Sequence, residues 1–175
     1  AGVRDGDRIL EIGCGWGSLA LRCTERFPKC EYVAITISNE QLHEASQRLE
    51  GKTNARVVFC DYRDARDKLG LFDRVLSCEM IEAVGHAFLP SYFAAIHACL
   101  KGGGSAALQV ITVPDERYAS YIKGSDFIRK HVFPGSSLVC LEAVKSALPK
   151  LGSLALRLDD AATLSMGVSY ARTLR

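Results

Sequence analysis

Chemistry is first concentrated in this sequence at Glu11-Ile12-Gly13-Cys14-Gly15-Trp16-Gly17, which an apolar strand enters and a helix leaves. Glycines lack the Cβ that holds a backbone away from a ligand, so Gly13, Gly15 and Gly17 allow a close approach. Their spacing sorts among nucleoside ligands. A dinucleotide fingerprint needs its third glycine at position 18, which is Ser18. Glycine at 17, with Glu11 two residues before the first glycine, suits the methionine-bearing end of S-adenosylmethionine. That cofactor brings no pyrophosphate to the helix N-terminus. A tight strand–helix turn is the plainer reading of the loop.

Three further clusters carry polar groups where strands end. Thr36, Ser38 and Gln41 follow the second strand, where many nucleoside-binding sheets place a carboxylate on the ribose. They can hydrogen-bond a ribose, and they can equally cap the next helix. Asp61 and Tyr62 follow the third strand and could offer an adenine a polar group and a flat surface; a turn of solvated charges is the alternative. The fourth strand ends in Ser77-Cys78-Glu79-Met80-Ile81-Glu82 and continues to His86. A partly buried carboxylate needs hydrogen-bond partners or a raised pKa. Such a residue either caps the following helix or orients a catalytic base.

The elements that must position these groups follow from periodicity. Strands are predicted at Arg8–Ile12, Glu31–Ile37, Arg56–Cys60, Phe72–Cys78, Ser105–Thr112 and Leu154–Leu158. Helices are predicted at Ser18–Phe27, Asn39–Leu49, Leu89–Leu100 and over 138–150. Ser38 is the expected cap of the second helix, with Gln41 as its capping-box partner. This alternation implies an α/β fold, a mostly parallel twisted sheet with helices on both faces. Pro114 to Gly135 breaks the rhythm with Tyr118, Tyr121, Lys123, Phe127, Arg129, Lys130, His131 and Phe133. It is placed to cover a site beyond the fifth strand, or it merely packs on the domain.

A chain of 175 residues suffices for one domain, expected over 1–175 with 113–136 as a lid or substrate insertion. A net charge of +2 gives no argument for nucleic acid. The seven cysteines include no C-x-x-C pair and have no His cluster beside them, so no metal site is expected. They read as reduced, mostly buried thiols of an intracellular protein. No apolar run approaches the ~20 residues that span a bilayer. The sequence does not begin with Met; no signal peptide is expected, and a fragment of a longer protein is.

The segments LEIGCGWGSLA, AITISNEQ, CDYRD, FDRVLSCEMIEAVGH, LQVITVPDERYASYIKGSDFIRKHVFPG and SYARTL together resemble the cyclopropane-fatty-acyl-phospholipid synthases, including the mycolic acid cyclopropane synthases. The matching stretches run from residue 10 to residue 174. The resemblance implies a Rossmann-like class I methyltransferase fold with S-adenosylmethionine as cofactor. It implies that a cis double bond of an unsaturated phospholipid acyl chain attacks the sulfonium methyl. A base, in the family a bound bicarbonate, then removes a proton as the cyclopropane ring closes. By position, Glu82 corresponds to the glutamate of the bicarbonate network, Tyr170 to its tyrosine and Ile111 to a residue contributing its backbone. Gln109 stands where many bacterial members have His; an amide can donate but cannot carry a positive charge. Gly13, Gly15, Thr36, Gln41, Tyr62 and Cys78 correspond to cofactor-contacting positions. The family's cysteine-containing segment before the glycine-loop strand and its last antiparallel strand have no counterpart here.

The resemblance also implies a cytoplasmic enzyme in peripheral contact with membrane, for which the mixed aromatic and basic residues from Tyr118 to Phe133 are suited. A homodimer is compatible with it. A product with a methyl or methylene branch, a small-molecule N-methyltransferase like those of plant alkaloid synthesis, and a degenerate cofactor-binding fragment stay open as alternatives.

Overall fold

The alternation of apolar and turn residues produces five parallel strands in a computed structural model that describes residues 2–149, 156, 158, 161 and 162. The strands are β1 (Arg8–Ile12), β2 (Glu31–Thr36), β3 (Ala55–Phe59), β4 (Phe72–Cys78) and β5 (Leu100–Gln109), in the order β3-β2-β1-β4-β5. The helices are α1 (Ser18–Arg26), α2 (Asn39–Arg48), α3 (Ala65–Leu69), α4 (Leu89–Cys99), α5 (Asp115–Lys123) and α6 (Leu141–Ala147).

Side chains alternate across a strand, and here the alternation feeds two cores. Leu10, Ile12, Val33 and Ile35 face one way and pack with Tyr92, Phe93 and Ile96 of α4. Ile9, Tyr32 and Ala34 face the other way and pack with Ala20 and Cys23 of α1 and Ala45 of α2. The expected layering, a parallel sheet with helices on both faces, is therefore present. A buried relay ties the layers: the Tyr92 hydroxyl donates to Ser77 Oγ at 2.9 Å, and Ser77 donates to the Ile12 carbonyl at 3.0 Å. All seven cysteines are free thiols, and Cys78 alone is exposed.

Several boundaries depart from the sequence expectation. β2 stops at Thr36 because its hydroxyl accepts the Ser38 N–H at 3.1 Å and turns the chain, leaving Ile37 68% exposed. Ser38 does cap α2, accepting the Gln41 N–H, but the Gln41 side chain accepts from Thr36 instead of closing a capping box. β5 begins early, at Leu100, and ends at Gln109, whose carbonyl accepts the Glu79 N–H at 2.8 Å. Beyond that rung β4 has turned away, so Ile111 and Thr112 lie outside the strand; Thr112 bridges Val139. That bridge also shortens the last helix, since Val139 and Cys140 are extended and α6 starts at Leu141. Pro149 disfavours helical geometry at the residue before it, and α6 ends at Ala147. The strand expected at 154–158 falls outside the described residues apart from Leu156 and Leu158.

Candidate functional site

Strand order reverses between β1 and β4, and such a switch point opens a crevice beyond the carboxyl ends of the two strands. The glycine loop leaves β1 on one side of it, and the Glu79–Glu82 segment leaves β4 on the other. The three glycines do different jobs. Gly13 has φ +82, and a Cβ there would lie 2.8 Å from Met80 Cγ, so the loop presses directly on the segment after β4. Gly17, φ +81, sits at the N-cap of α1, where a Cβ would meet Ala45 Cα and Cβ at 3.1 Å. Its absence of side chain serves the packing of α1 on α2, contrary to the ligand approach expected of it. Gly15, φ +49, has nothing within 4 Å of a Cβ and is the glycine of the three that faces open space. The N–H groups of Gly13 and Cys14 are both taken by the Ile35 carbonyl, at 3.1 and 3.0 Å.

Glu11 is not brought to the crevice surface. It is 2% exposed and accepts from the Tyr32 hydroxyl at 3.0 Å. Burial pushes its pKa up to about 8, against the lowering effect of that hydrogen bond. The same burial, with Glu11 beside it, pushes the Cys14 thiol up to about 11.

Thr36, Ser38 and Gln41 are brought together. Thr36 Oγ1 donates to Gln41 Oε1 at 2.8 Å, and Ser38 Oγ donates to Glu40 at 2.7 Å. Among the described residues no hydrogen bond engages Gln41 Nε2, so this turn ends in a free amide donor. Asp61 caps a short 3-10 turn and is clasped by Arg63 at 2.9 and 2.6 Å, which holds its carboxyl below the usual range. Tyr62 packs edge-on against Tyr92, ring centroids 5.3 Å apart, and burial raises its phenol. Sequence reasoning assigned no role to two exposed apolar side chains at these strand ends, Trp16 (50%) and Ile37 (68%). The signal for Trp16 was its place inside the glycine loop; Ile37 was read only as the last residue of a strand.

Across the crevice, Glu82 Oε1 accepts the Ile111 N–H at 2.6 Å. Its other oxygen, Oε2, is buried and has no hydrogen-bond partner among the described residues. Its carbonyl accepts the Ser137 N–H at 2.8 Å. Gln109 is not joined to Glu82: its Nε2 donates to Glu79 Oε1 at 2.9 Å. Glu79 holds φ +50, a left-handed conformation uncommon for a residue with a side chain, and backbone and side chain both clamp it to Gln109. Cys78, paired in register with Gln109, has its thiol pushed up by burial and then by the charges of Glu79, Glu11 and Glu82. Tyr170 lies outside the described residues.

The insertion contains α5 and a π-helical turn at Ile128–Val132, and its base is stitched to this wall. Tyr118 and His86 Nδ1 are 2.7 Å apart, Tyr121 Oη accepts the Leu138 N–H, and Val113 N–H reaches the Val139 carbonyl. Its tip leaves Phe127 (70%), Ile128 (52%) and Phe133 (63%) exposed.

With this geometry in hand, a family model described as mycolic acid cyclopropane synthetase matches residues 1–175. The tuberculostearic acid methyltransferase UfaA1 of Mycobacterium tuberculosis is 39% identical over 100% of this chain and 40% of its own length. The cyclopropane-fatty-acyl-phospholipid synthase of Escherichia coli K12 is 34% identical over 82% of this chain and 34% of its own. The crystal structure of the mycolic acid cyclopropane synthase CmaA1 complexed with SAH and CTAB superposes with a TM-score of 0.69 at 26% identity, covering 83% of this chain and 54% of that one. The chain thus spans about two fifths or less of the length of these two curated relatives.

Proposed function

The chain belongs to the mycolic acid cyclopropane synthetase family of S-adenosylmethionine-dependent methyltransferases, and from that membership we propose that the full-length protein methylates the cis double bond of an unsaturated phospholipid acyl chain and closes a cyclopropane ring. The observation that carries the reading is Glu82. A buried carboxylate oxygen without a partner is costly. It is maintained here at the switch point while the companion oxygen is pinned by Ile111. An acceptor held in that way fits a hydroxyl donor, and the hydroxyl of bicarbonate is one.

The crevice also fits the cofactor. Gly15 leaves space for a ligand beside the backbone, and the Cys78 thiol, raised first by burial, is raised further by the nearby carboxylates Glu79, Glu11 and Glu82, a setting that favours a sulfonium cation. When bound, S-adenosylmethionine supplies an electrophilic methyl group and bicarbonate supplies a base. The protein's own residues do the rest. Gln41 Nε2 is the donor for a ribose hydroxyl, with Thr36 and Ser38 holding it in place. Tyr62, Ile37 and Trp16 offer apolar surface for the adenine, and Asp61 a polar edge. Cys78 and Glu79 line the approach to the methyl group, and Gln109 is oriented by Glu79. Tyr170 is assigned to the same network as Glu82 on the strength of its position in the SYARTL motif. Glu11 braces β1 on β2 through its hydrogen bond with Tyr32. Ile81, 1% exposed, with Met80 and Val84 packed beside it, makes this wall apolar, so that water is kept from a developing carbocation.

Residues 113–136 act as the substrate-facing insertion, and the exposed Phe127, Ile128 and Phe133 beside Lys130 suit peripheral contact with a bilayer. Among the described residues no helix is long and apolar enough to cross a membrane.

Mass spectrometry of lipids from cells expressing the full-length protein tests the reading. The expected result is a gain of one CH₂ on unsaturated chains, with fragmentation showing a ring. Unchanged lipids, or methylation confined to amines, would sink it. A second reading has its own support in the 39% identity to a protein named for tuberculostearic acid methylation: fragmentation showing a methyl branch assigns the product to that type.

A further inference from the structure

The insertion and the turn after Glu82 line an open cleft of about 500 Å³ that the methyl-transfer chemistry leaves unused. Its polar lining is His86, Lys123, Ser125, Arg129, Ser136 and Ser137. Two of these are cations, three are hydroxyls, and none is a carboxylate. The nearest acid in sequence, Asp126, does not line the cleft, and its Oδ1 already accepts the Arg129 N–H at 2.9 Å.

The cations are set up differently. Arg129 is fixed: its Nη1 donates to the carbonyls of Tyr121 at 2.6 Å and Gly124 at 2.7 Å, and its guanidinium lies 4.6 Å from the Tyr121 ring centroid. This caps the C-terminal end of α5 and holds the planar fork in one orientation. Lys123 is exposed and has no ion pair among the described residues. His86 is steadied by Tyr118, and when that hydroxyl donates to Nδ1 the ring proton sits on Nε2 as a further donor. The Ser137 N–H is held by the Glu82 carbonyl, which makes the cleft a neighbour of the candidate reaction site.

A fixed guanidinium, a free ammonium and hydroxyl donors with no competing acid match a tetrahedral oxyanion better than a planar carboxylate or an apolar group. We propose that this cleft is a phosphate-ester site that seats the phosphate of the acyl-chain donor while the chain is presented near Glu82. The proposal rests on the lipid reading above. The apolar tip of the insertion, Phe127, Ile128 and Phe133, lies on the same element and would carry the cleft to the level of bilayer phosphates.

The test uses the full-length protein loaded with S-adenosylhomocysteine and vesicles of dioleoylphosphatidylcholine, whose surface has phosphates but no net charge. Lys123→Gln is compared with Lys29→Gln, an equal change of charge on the exposed loop before β2, outside both the cleft and the insertion. The expected result is at least about tenfold weaker vesicle binding for Lys123→Gln and no change for Lys29→Gln. Glycerol 3-phosphate should compete with the vesicles for the parent protein and not for Lys123→Gln. Equal effects of the two variants, or no effect of either, overturn the site. Tight binding of glycerol 3-phosphate with no vesicle binding reassigns the cleft to a soluble phosphate ester and overturns the headgroup role. Methyl transfer from labelled S-adenosylmethionine, followed in parallel with unloaded protein, separates the two readings. Vesicle binding that depends on Lys123 without any lipid methylation sinks the methylation reading alone; lipid methylation without a Lys123 effect sinks the cleft alone.

Discussion

The two sides of the switch point are built on opposite terms. On the β1–β2 side the polar side chains that face the crevice are largely satisfied within their own turn: Thr36 on Gln41 and Ser38, Ser38 on Gln41 and Glu40. On the β4–β5 side a carboxylate oxygen is left buried without a partner among the described residues, and a glutamate is held at φ +50. The first side is a rigid mould whose recognition comes from shape and one spare amide. The second stores unsatisfied groups and strain, which persist only where surrounding structure imposes them. The function proposed above puts cofactor binding on the first side and chemistry on the second.

Glu82→Gln tests that division most severely. The amide removes the charge yet keeps the size, and methyl transfer by the full-length protein should fall by about 10²–10⁴-fold, with S-adenosylhomocysteine affinity by calorimetry nearly unchanged. A parallel loss of cofactor affinity would merge the two sides.

Glu11 gives the next largest effect, as a pH dependence of stability. Its folded pKa, raised to about 8 by burial, lies above that of the unfolded chain, so the folded state binds the proton more tightly. The contribution is complete below the ordinary carboxylate range and is lost progressively as pH rises toward about 8. Thermal unfolding of the parent chain should therefore lose several kcal/mol of stability across that window, in order-of-magnitude terms, and Glu11→Gln should flatten the loss. A parent Tm that does not fall between pH 5 and 8, or an unchanged slope in the variant, counts against the buried carboxyl.

Within the glycine loop, Gly17→Ala and Gly15→Ala should part company. The first drives a methyl to within 3.1 Å of Ala45 at φ +81 and should cost about 2–3 kcal/mol in denaturant unfolding. The second meets open space and should cost about 1–2 kcal/mol, from its positive φ alone, while weakening cofactor binding. Equal destabilisation with equal cofactor affinity would erase the distinction between packing and ligand glycines.

The smallest effect is expected at Glu79→Gly. Glycine accepts the φ of +50 freely, so stability should hold or rise by up to about 1 kcal/mol, while Gln109 loses its partner and methyl transfer falls a few-fold. A fall in stability together with activity would make Glu79 a structural brace and nothing more.

What the sequence determined by itself is the framework. Period-two apolar runs and glycine or proline punctuation place β1 and β4 to the residue, and α1, α2 and α4 within one residue, because these signals are local to each element. Gly15, Gln41, Tyr62 and Glu82 were candidates from residue type, position and the family resemblance, and their roles are those proposed above. The ends of elements were less legible. Where β5 stops depends on Glu79, thirty residues away, and where α6 starts depends on the bridge from Thr112 to Val139. Tertiary structure alone decided which glycine packs a helix and which faces open space, because that turns on whether Ala45 lies nearby. It also decided that Glu11 is enclosed, that Gln109 answers to Glu79, and that one oxygen of Glu82 has no partner among the described residues. Each of these is fixed by long-range burial and hydrogen bonding, which residue type and spacing do not encode.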